Sequence, residues 1–243
     1  MKLYMNETSE KLGKAAAEFS AAVINRVIAE KGKARIVLST GASQFDTLKA
    51  LVEADVDWSR VEMFHLDEYI NLPETHPASF RKYLRERFTG LVNLKSVNFV
   101  NGEGDIRKNI TELTRELRKE PIDLGLIGIG ENGHIAFNDP PADFDTRDAY
   151  IVVNLDEDCK KQQVGEGWFP TVVDVPKQAI SMSVYQIMQC NVIVSCVPHK
   201  VKAKAVKLTM DNDLTNMIPA TMLKTHKDFH LFLDNNSSSL LSR

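Results

Sequence analysis

The sequence is poor in cysteine and has no strong excess of charge of either sign. Its cysteines, Cys159, Cys190 and Cys196, share no spacing typical of metal ligands, which argues against a disulfide framework and against a zinc site. The formal net charge is -3 over 243 residues. Electrostatics therefore gives no reason to expect a nucleic acid or an anionic membrane surface as a partner.

Long apolar runs are absent as well. No run approaches the ~20 residues that span a bilayer, and the first residues lack the basic and then apolar pattern of a secretory signal. The hydrophobic content of 43% is nevertheless normal for a packed core. These features favour a cytoplasmic globular enzyme.

What the sequence does contain is a regular alternation of helical and strand patterns. It predicts helices over 10–30, 45–53, 79–88, 106–119 and 200–210, and strands over 34–38, 60–66, 97–100, 178–184, 191–197 and 230–233. Because parallel strands need crossover connections that are usually helical, this order predicts an α/β fold. We expect one doubly wound, mostly parallel sheet with helices on both faces, Rossmann-like, in a single domain covering 1–243.

Two segments depart from the alternation. Residues 143–167 mix Asp and Gly without a clear period, which indicates a mobile or substrate-facing insertion. The polar tail at 235–239 is expected to be frayed.

A glycine-rich turn within PIDLGLIGIGENGHIAFNDPP, residues 121–141, is the most informative feature of the chain. An apolar run suited to a strand buried on both faces leads into a turn that carries Asn132 and His134, with Asp139 shortly after. Ligands of open α/β sheets bind at the carboxyl ends of the strands, so His134 is a candidate for proton exchange, with Asn132 and Asp139 orienting it.

Two more polar segments follow predicted strands. After the strand at 34–38 come Ser39, Thr40, Gly41, Ala42 and Ser43, just before a helix, where free backbone N–H groups could hold an anion or simply cap the helix. After the strand at 60–66 come Asp67 and Glu68, whose side chains should point to opposite sides of an extended backbone, so that one of them can face a pocket. We expect all three segments to meet at one edge of the sheet.

The strings LSTGAS, FHLDEYINLPETHPASFRKYL and GIGENGHIAFNDPP, in this order and rough spacing, resemble the glucosamine-6-phosphate deaminase (isomerase) family over nearly the whole chain. The resemblance implies that glucosamine 6-phosphate and water give fructose 6-phosphate and ammonia, with no metal and no cofactor. It implies that His134 assists opening of the sugar ring, that Asp67 carries a proton from C2 to C1, and that Asp139 and Asn132 belong to the ring-opening relay. The implied substrate-binding residues are Ser39, Thr40, Gly41, Ala42, Ser43, Glu68, Gly133 and Lys200.

The chain departs from the family pattern at three positions. Asn132 stands where the family carries an aspartate, Asp139 where it usually has a glutamate, and Gly167 where a phosphate-binding arginine is expected. These changes suggest a divergent member, for which galactosamine 6-phosphate is another candidate substrate.

Two other functions remain open at this stage. One is a sugar-lactone hydrolase of the 6-phosphogluconolactonase type, and the other is a sugar-phosphate sensor without turnover. The IAFN continuation after His134 and the DEY string favour the deaminase. The sequence leaves open whether the chain forms a homo-oligomer.

Overall fold

A seven-stranded parallel sheet forms the centre of the computed structural model, which describes residues 1–241. The strands of the molecule are β1 (Lys2–Asn6), β2 (Ala34–Leu38), β3 (Val61–His65), β4 (Asp67–Tyr69), β5 (Ser96–Asn98), β6 (Leu124–Leu126), β7 (Tyr150–Asn154), β8 (Gln178–Met182), β9 (Val192–Val197) and β10 (Phe229–Asp234). Within the parallel sheet their order is β1-β10-β9-β6-β2-β3-β5. This arrangement confirms the predicted α/β fold class.

Helices cover both faces of this sheet. They are α1 (Ser9–Lys31), α2 (Phe45–Val52), α3 (Phe80–Leu84), α4 (Ile106–Leu117), α5 (Glu157–Gly165), α6 (Val184–Ile187) and α7 (Ala203–Asp211). Successive residues of β2 pack into different cores, with Val37 in one and Ile36 and Leu38 in the other. Both faces of a strand are buried in this way only when both sides of the sheet are covered. None of the helices in residues 1–241 is long and apolar enough to cross a membrane.

A second sheet, which the sequence analysis did not predict, lies beside the first. It is antiparallel, with three strands in the order β4-β8-β7. The chain leaves the parallel sheet after β3 and enters the small sheet at Asp67, with only Leu66 between. Because β3 ends there, Asp67 is placed at the carboxyl edge of the parallel sheet.

Residues 143–167, expected to form a mobile or substrate-facing insertion, contain more regular structure than their composition suggests. Strand β7 and helix α5 fill most of this segment, and Asp156 caps α5 by accepting a hydrogen bond from the backbone N–H of Cys159 at 2.6 Å. The sequence signals of these two elements are weak because α5 is strongly polar and several residues of β7 are exposed. Part of the expectation holds, since α5 does face the cavity described below.

The polar tail is also better ordered than expected. Ser237 is fully buried, and its backbone N–H donates to Asp234 Oδ1 at 2.6 Å. A turn fixed by side-chain hydrogen bonds does not depend on apolar residues, so the polar composition of this segment gave a misleading signal.

Candidate functional site

A cleft of about 510 Å³ lies at the carboxyl ends of the central strands. The three polar segments named above all contribute to its lining, through Ser39, Thr40, Gly41 and Ser43, through Asp67, and through His134. Strands β2, β3 and β6 are neighbours in the parallel sheet, so the segments that follow them leave the same edge. The expected meeting of these segments is therefore what the structure shows.

The loop after β2 is shaped by Gly41. Its φ of 101° is rarely adopted by residues with a side chain, and it starts the short 3-10 turn Ala42–Gln44 that leads into α2. Tyr83 holds the loop by donating from its hydroxyl to Gly41 O at 2.9 Å. The buried Ser39 Oγ has no hydrogen-bond partner within residues 1–241, which leaves it free to contact a ligand.

His134 sits on the glycine turn with its ring close to Asp139. The backbone N–H of His134 donates to Asn132 Oδ1 at 3.0 Å, which fixes the turn. Nδ1 of the imidazole lies 3.1 Å from Asp139 Oδ1, although the alignment is poorer than that of a regular hydrogen bond. The expectation that the Asn132 amide orients the imidazole was therefore wrong: Asn132 holds the backbone, and Asp139 faces the ring.

Asp139 is held as a carboxylate by its neighbours. Burial raises its pKa, but the nearby imidazole of His134, the backbone N–H of Asp156 and the Asn132 amide lower it more, so that the pKa of Asp139 lies below 3.8. The Sγ atom of Cys159 lies within 4.8 Å of the Asp139 carboxylate. An ionised Asp139 beside the imidazole can stabilise a positive charge on His134.

Asp67 has the opposite electrostatic character. Its side chain is 6% exposed, and burial, followed by the charge of Glu68, raises its pKa well above 3.8. None of the side-chain hydrogen bonds within residues 1–241 stabilises this carboxylate. A carboxylate that faces a cleft and binds a proton more tightly than usual is suited to accept a proton and keep it.

Glu68 does not reach the cleft, so the expectation that it contacts substrate was wrong. It is fully buried, and its Oε2 accepts from Ser79 Oγ at 2.8 Å and from Arg81 Nε at 3.2 Å. Adjacent residues of a strand point to opposite sides, and β4 turns Asp67 toward the cleft and Glu68 into the protein. Glu68 therefore anchors the start of α3 and supports the strand that carries Asp67.

Lys200, which the sequence analysis assigned to substrate binding, does not line the cleft either. It is exposed at the start of the turn Lys200–Lys202, whereas Lys202 is 5% exposed and lines the cleft. A tight turn has about three residues per revolution, so the side chains two positions apart point about 120° away from each other. Ala42 and Gly133 likewise do not line the cleft.

Helix α5 supplies lining residues that sequence reasoning missed. Gln162, Gln163 and Glu166 face the cleft from this helix and its end. The sequence does contain a signal for this helix: Asp156 is a good N-cap residue, and Cys159 and Gln163, which the structure shows to be buried, follow at a helical spacing of four.

One group of side chains within residues 1–241 could in principle hold a metal ion. His134, Asp139 and Cys159 each offer a ligand atom, all within 4.8 Å of one another. Nδ1 of His134 lies 3.1 Å from Asp139 Oδ1, and such a close pair is also what a chain of proton-exchanging groups requires.

Comparison with known proteins gives a consistent picture. The family model for glucosamine-6-phosphate isomerases/6-phosphogluconolactonase matches residues 7–231. A glucosamine-6-phosphate deaminase of Thermoanaerobacter sp. (strain X514) is 34% identical over 99% of this chain and 95% of its own length. The corresponding deaminase of Streptococcus sanguinis is 31% identical over 99% of both chains.

Solved structures agree with this picture. The structure of a monomeric glucosamine-6-phosphate deaminase superimposes with a TM-score of 0.90 at 28% identity, over 99% of this chain and 100% of that chain. The 6-phosphogluconolactonase of Trypanosoma brucei gives a TM-score of 0.80 at 16% identity, over 99% of this chain and 98% of that chain, a likeness of fold alone.

Proposed function

This chain belongs to the glucosamine-6-phosphate isomerase/6-phosphogluconolactonase family, and we propose that it is an isomerase and deaminase of amino-sugar phosphates. Its substrate is glucosamine 6-phosphate or a close hexosamine 6-phosphate, such as galactosamine 6-phosphate. With water, the products are a ketose 6-phosphate and ammonia. The steps are ring opening, proton transfers, the addition of water and the loss of ammonia, and the oxidation of C2 is balanced by the reduction of C1, so the chemistry needs no redox cofactor.

The observation that carries this proposal is the pairing of two proton-exchanging groups in one cleft. Asp67, with a raised pKa, and His134, backed by the ionised Asp139, line the same cavity. A protein that only binds a sugar phosphate needs no such pair, whereas an aldose-to-ketose conversion of a cyclic sugar needs one group for the ring and one for the carbon proton.

His134 is suited to the first step, the opening of the pyranose ring. Opening moves a proton from the C1 hydroxyl to the ring oxygen while the C1–O5 bond breaks and a C1 aldehyde forms. An imidazole can take the first proton and supply the second, and the nearby Asp139 carboxylate stabilises the imidazolium that exists between the two transfers.

Asp67 is suited to the second step. Its carboxylate removes the proton from C2, which gives an enol bearing the amino group, and returns it to C1. The amino group then forms an iminium at C2, to which water adds before ammonia leaves. A buried base that retains its proton favours return of the same proton to the neighbouring carbon.

The remaining end of the cleft is suited to the phosphate. The backbone N–H groups around Gly41 lie at the start of the helical segment that leads into α2, and the ammonium of Lys202 faces the same cleft. Helix starts and lysine side chains are the usual partners of phosphate oxygens.

A lactonase is the second candidate, because 6-phosphogluconolactonases share the fold. Lactone hydrolysis requires no proton transfer between carbons and therefore assigns no role to a buried base in the position of Asp67. The higher identity to deaminases over the whole chain favours the deaminase.

An ammonia-release assay on a panel of hexosamine 6-phosphates, run beside hydrolysis of 6-phosphogluconolactone, tests the proposal. We expect ammonia and ketose in equal amounts from at least one hexosamine 6-phosphate, and slower turnover of closed-ring substrate in His134→Gln. Lactone hydrolysis without ammonia would establish the lactonase instead. Thermal stabilisation by the sugar phosphates without any product would identify a sensor.

A further inference from the structure

Glu166 places a carboxylate inside the cleft, beside the loop assigned to the phosphate. The residue follows the last turn of α5 and lines the cavity together with Gly41. Its Oε2 lies 3.8 Å from the position that a Cβ on Gly41 would occupy. A side chain at residue 41 would therefore contact this carboxylate, and because residue 41 is glycine the space between the loop and the carboxylate is open.

The position of this carboxylate is fixed by two donors. Trp168 Nε1 donates to Oε2 at 3.0 Å, and Gln162 Nε2 donates to Oε1 at 2.8 Å. Gln162 is itself held, because its Oε1 accepts from the backbone N–H of Glu131 at 3.0 Å. Hydrogen bonds to both oxygens hold the carboxylate in a single orientation.

The positive charge available to offset this carboxylate is small. Lys202 is the one lysine or arginine among the lining residues that the structure describes. Burial lowers the pKa of Lys202, and the charges of Glu166 and Glu131 counteract that shift, so the ammonium already interacts with carboxylates of the protein. A phosphate dianion at the Gly41 loop would have to share this one ammonium with Glu166.

We propose that Glu166 is a specificity-determining residue that disfavours a dianionic phosphate at the Gly41 loop and accepts a hydrogen bond from an uncharged C6 hydroxyl. This inference rests on the proposed function. Two like charges in a partly buried cleft repel each other, whereas a hydroxyl donor is attracted to the same carboxylate. The enzyme therefore discriminates only weakly between a hexosamine 6-phosphate and the free hexosamine.

Glu166→Gln tests this, because it keeps the size of the side chain and removes its charge. We expect the Kd of inorganic phosphate, measured by calorimetry, and the KM of glucosamine 6-phosphate to fall about tenfold, with kcat within about twofold. The KM of unphosphorylated glucosamine should stay the same or rise. The difference in the KM of glucosamine 6-phosphate between variant and wild type should grow as the pH rises through about 6, where the second proton of a phosphate monoester is lost.

Glu157→Gln is the matched control, since Glu157 is an exposed acid in the same helix that pairs with Lys160. It should leave every one of these constants unchanged. A second variant, Trp168→Phe, removes one donor to Glu166 but leaves the charge, and it should give less than half of the tenfold effect. Thermal unfolding of each variant shows whether the fold is retained.

The outcomes separate this inference from the proposed function. Equal phosphate Kd values in wild type, Glu166→Gln and Glu157→Gln would overturn the role of Glu166, even if ammonia is released. Tighter phosphate binding in Glu166→Gln without ammonia release from any hexosamine would support the charge effect and refute the deaminase. A rise in the KM of glucosamine 6-phosphate in Glu166→Gln would show that Glu166 helps to bind this substrate.

Discussion

The backbone of Gly130 packs against the imidazole of His134 so closely that a Cβ at residue 130 would overlap ring atoms Nε2, Cε1 and Cδ2. The two residues are also joined by a backbone hydrogen bond from Gly130 N to His134 O at 2.9 Å. The glycine is therefore required for the position of the ring itself.

Gly130→Ala should displace the imidazole from Asp139 while leaving the fold intact. A displacement of about 1 Å can cost about 100-fold in rate, so we expect kcat for closed-ring substrate to fall by about that factor. Gly165→Ala is the matched control, because a Cβ there meets no atom within 4 Å. Steady-state kinetics of both variants, with thermal melts, checks the prediction, and an active Gly130→Ala would contradict it.

Asp67→Asn should abolish turnover and at the same time stabilise the protein. Because burial raises the pKa of Asp67, the folded state binds this proton more tightly than the unfolded state does. The contribution of the group to stability therefore falls as the pH rises from 3.8 toward the folded pKa, and the ionised side chain is unfavourable at neutral pH. An amide avoids this cost, and we expect Tm at pH 7 to rise by about 2–4 °C, equivalent to about 1 kcal/mol.

Melting curves of wild type and Asp67→Asn at pH 7 and pH 4 provide the check. The difference in Tm should shrink at pH 4, where the folded-state carboxyl is protonated and the unfolded-state carboxyl is about half protonated. Wild-type turnover in Asp67→Asn would refute the proposed role of this residue as the base.

The pH dependence of kcat should have an acid limb well above pH 3.8, since Asp67 must be ionised to accept the C2 proton. Burial is the larger cause of the raised pKa and the charge of Glu68 the smaller one. Measuring kcat at saturating substrate limits interference from the substrate phosphate, which also titrates near pH 6. The acid limb of kcat should persist in His134→Gln, because it is assigned to Asp67 and not to His134. An acid limb close to 3.8 would show that a hydrated carboxylate acts as the base.

The sequence was sufficient to predict the parts of the fold that depend on periodic apolar residues. The strand Ala34–Leu38 was predicted with its correct bounds, because all its residues are buried and the Ser-Thr-Gly sequence that follows interrupts the apolar pattern. The meeting of Asp67 and His134 followed from the rule that ligands lie at the carboxyl ends of parallel strands.

Other features depend on geometry that no local pattern encodes. Lys202 lines the cleft in place of the predicted Lys200 because side chains rotate around the short turn Lys200–Lys202. The roles of Asn132 and Asp139 depend on which of their atoms face the imidazole and which face the backbone of His134. Glu166 was missed because α5 is polar on most of its surface, so that its single cleft-facing side carries no apolar signature.

Glu68→Gln should destabilise the fold strongly. Glu68 is fully buried, and its contacts include the ion pair with Arg81 and the hydrogen bond from Ser79. Gln keeps one acceptor oxygen and turns the other into an NH2 donor, so buried donors that now bond to Glu68 lose their acceptor, which costs about 1–3 kcal/mol for each of them. Glu103→Gln removes an exposed partner of the same arginine, at 2.8 Å, and should cost less than about 1 kcal/mol. Urea unfolding of both variants compares them, and equal losses would contradict this assignment.

Lys202→Met and Lys200→Met together decide which lysine serves the phosphate. Lys202 is 5% exposed and lines the cleft, and Lys200 is exposed outside it. Lys202→Met should weaken binding of inorganic phosphate and raise the KM of glucosamine 6-phosphate at least about tenfold, because within residues 1–241 it removes the one ammonium that lines the cleft. Burial lowers the pKa of Lys202, so the charged form is disfavoured by folding, and the apolar variant should melt at an equal or higher temperature.

Lys200→Met should leave both constants unchanged, since its ammonium is in solvent, where it is screened from the cleft. Phosphate titrations followed by calorimetry, at constant ionic strength, measure the two variants side by side. Loss of phosphate binding in Lys200→Met with retention in Lys202→Met would reverse the assignment. Because both variants lose the same charge within the same turn, a difference between them reflects the position of the ammonium and not the net charge of the protein.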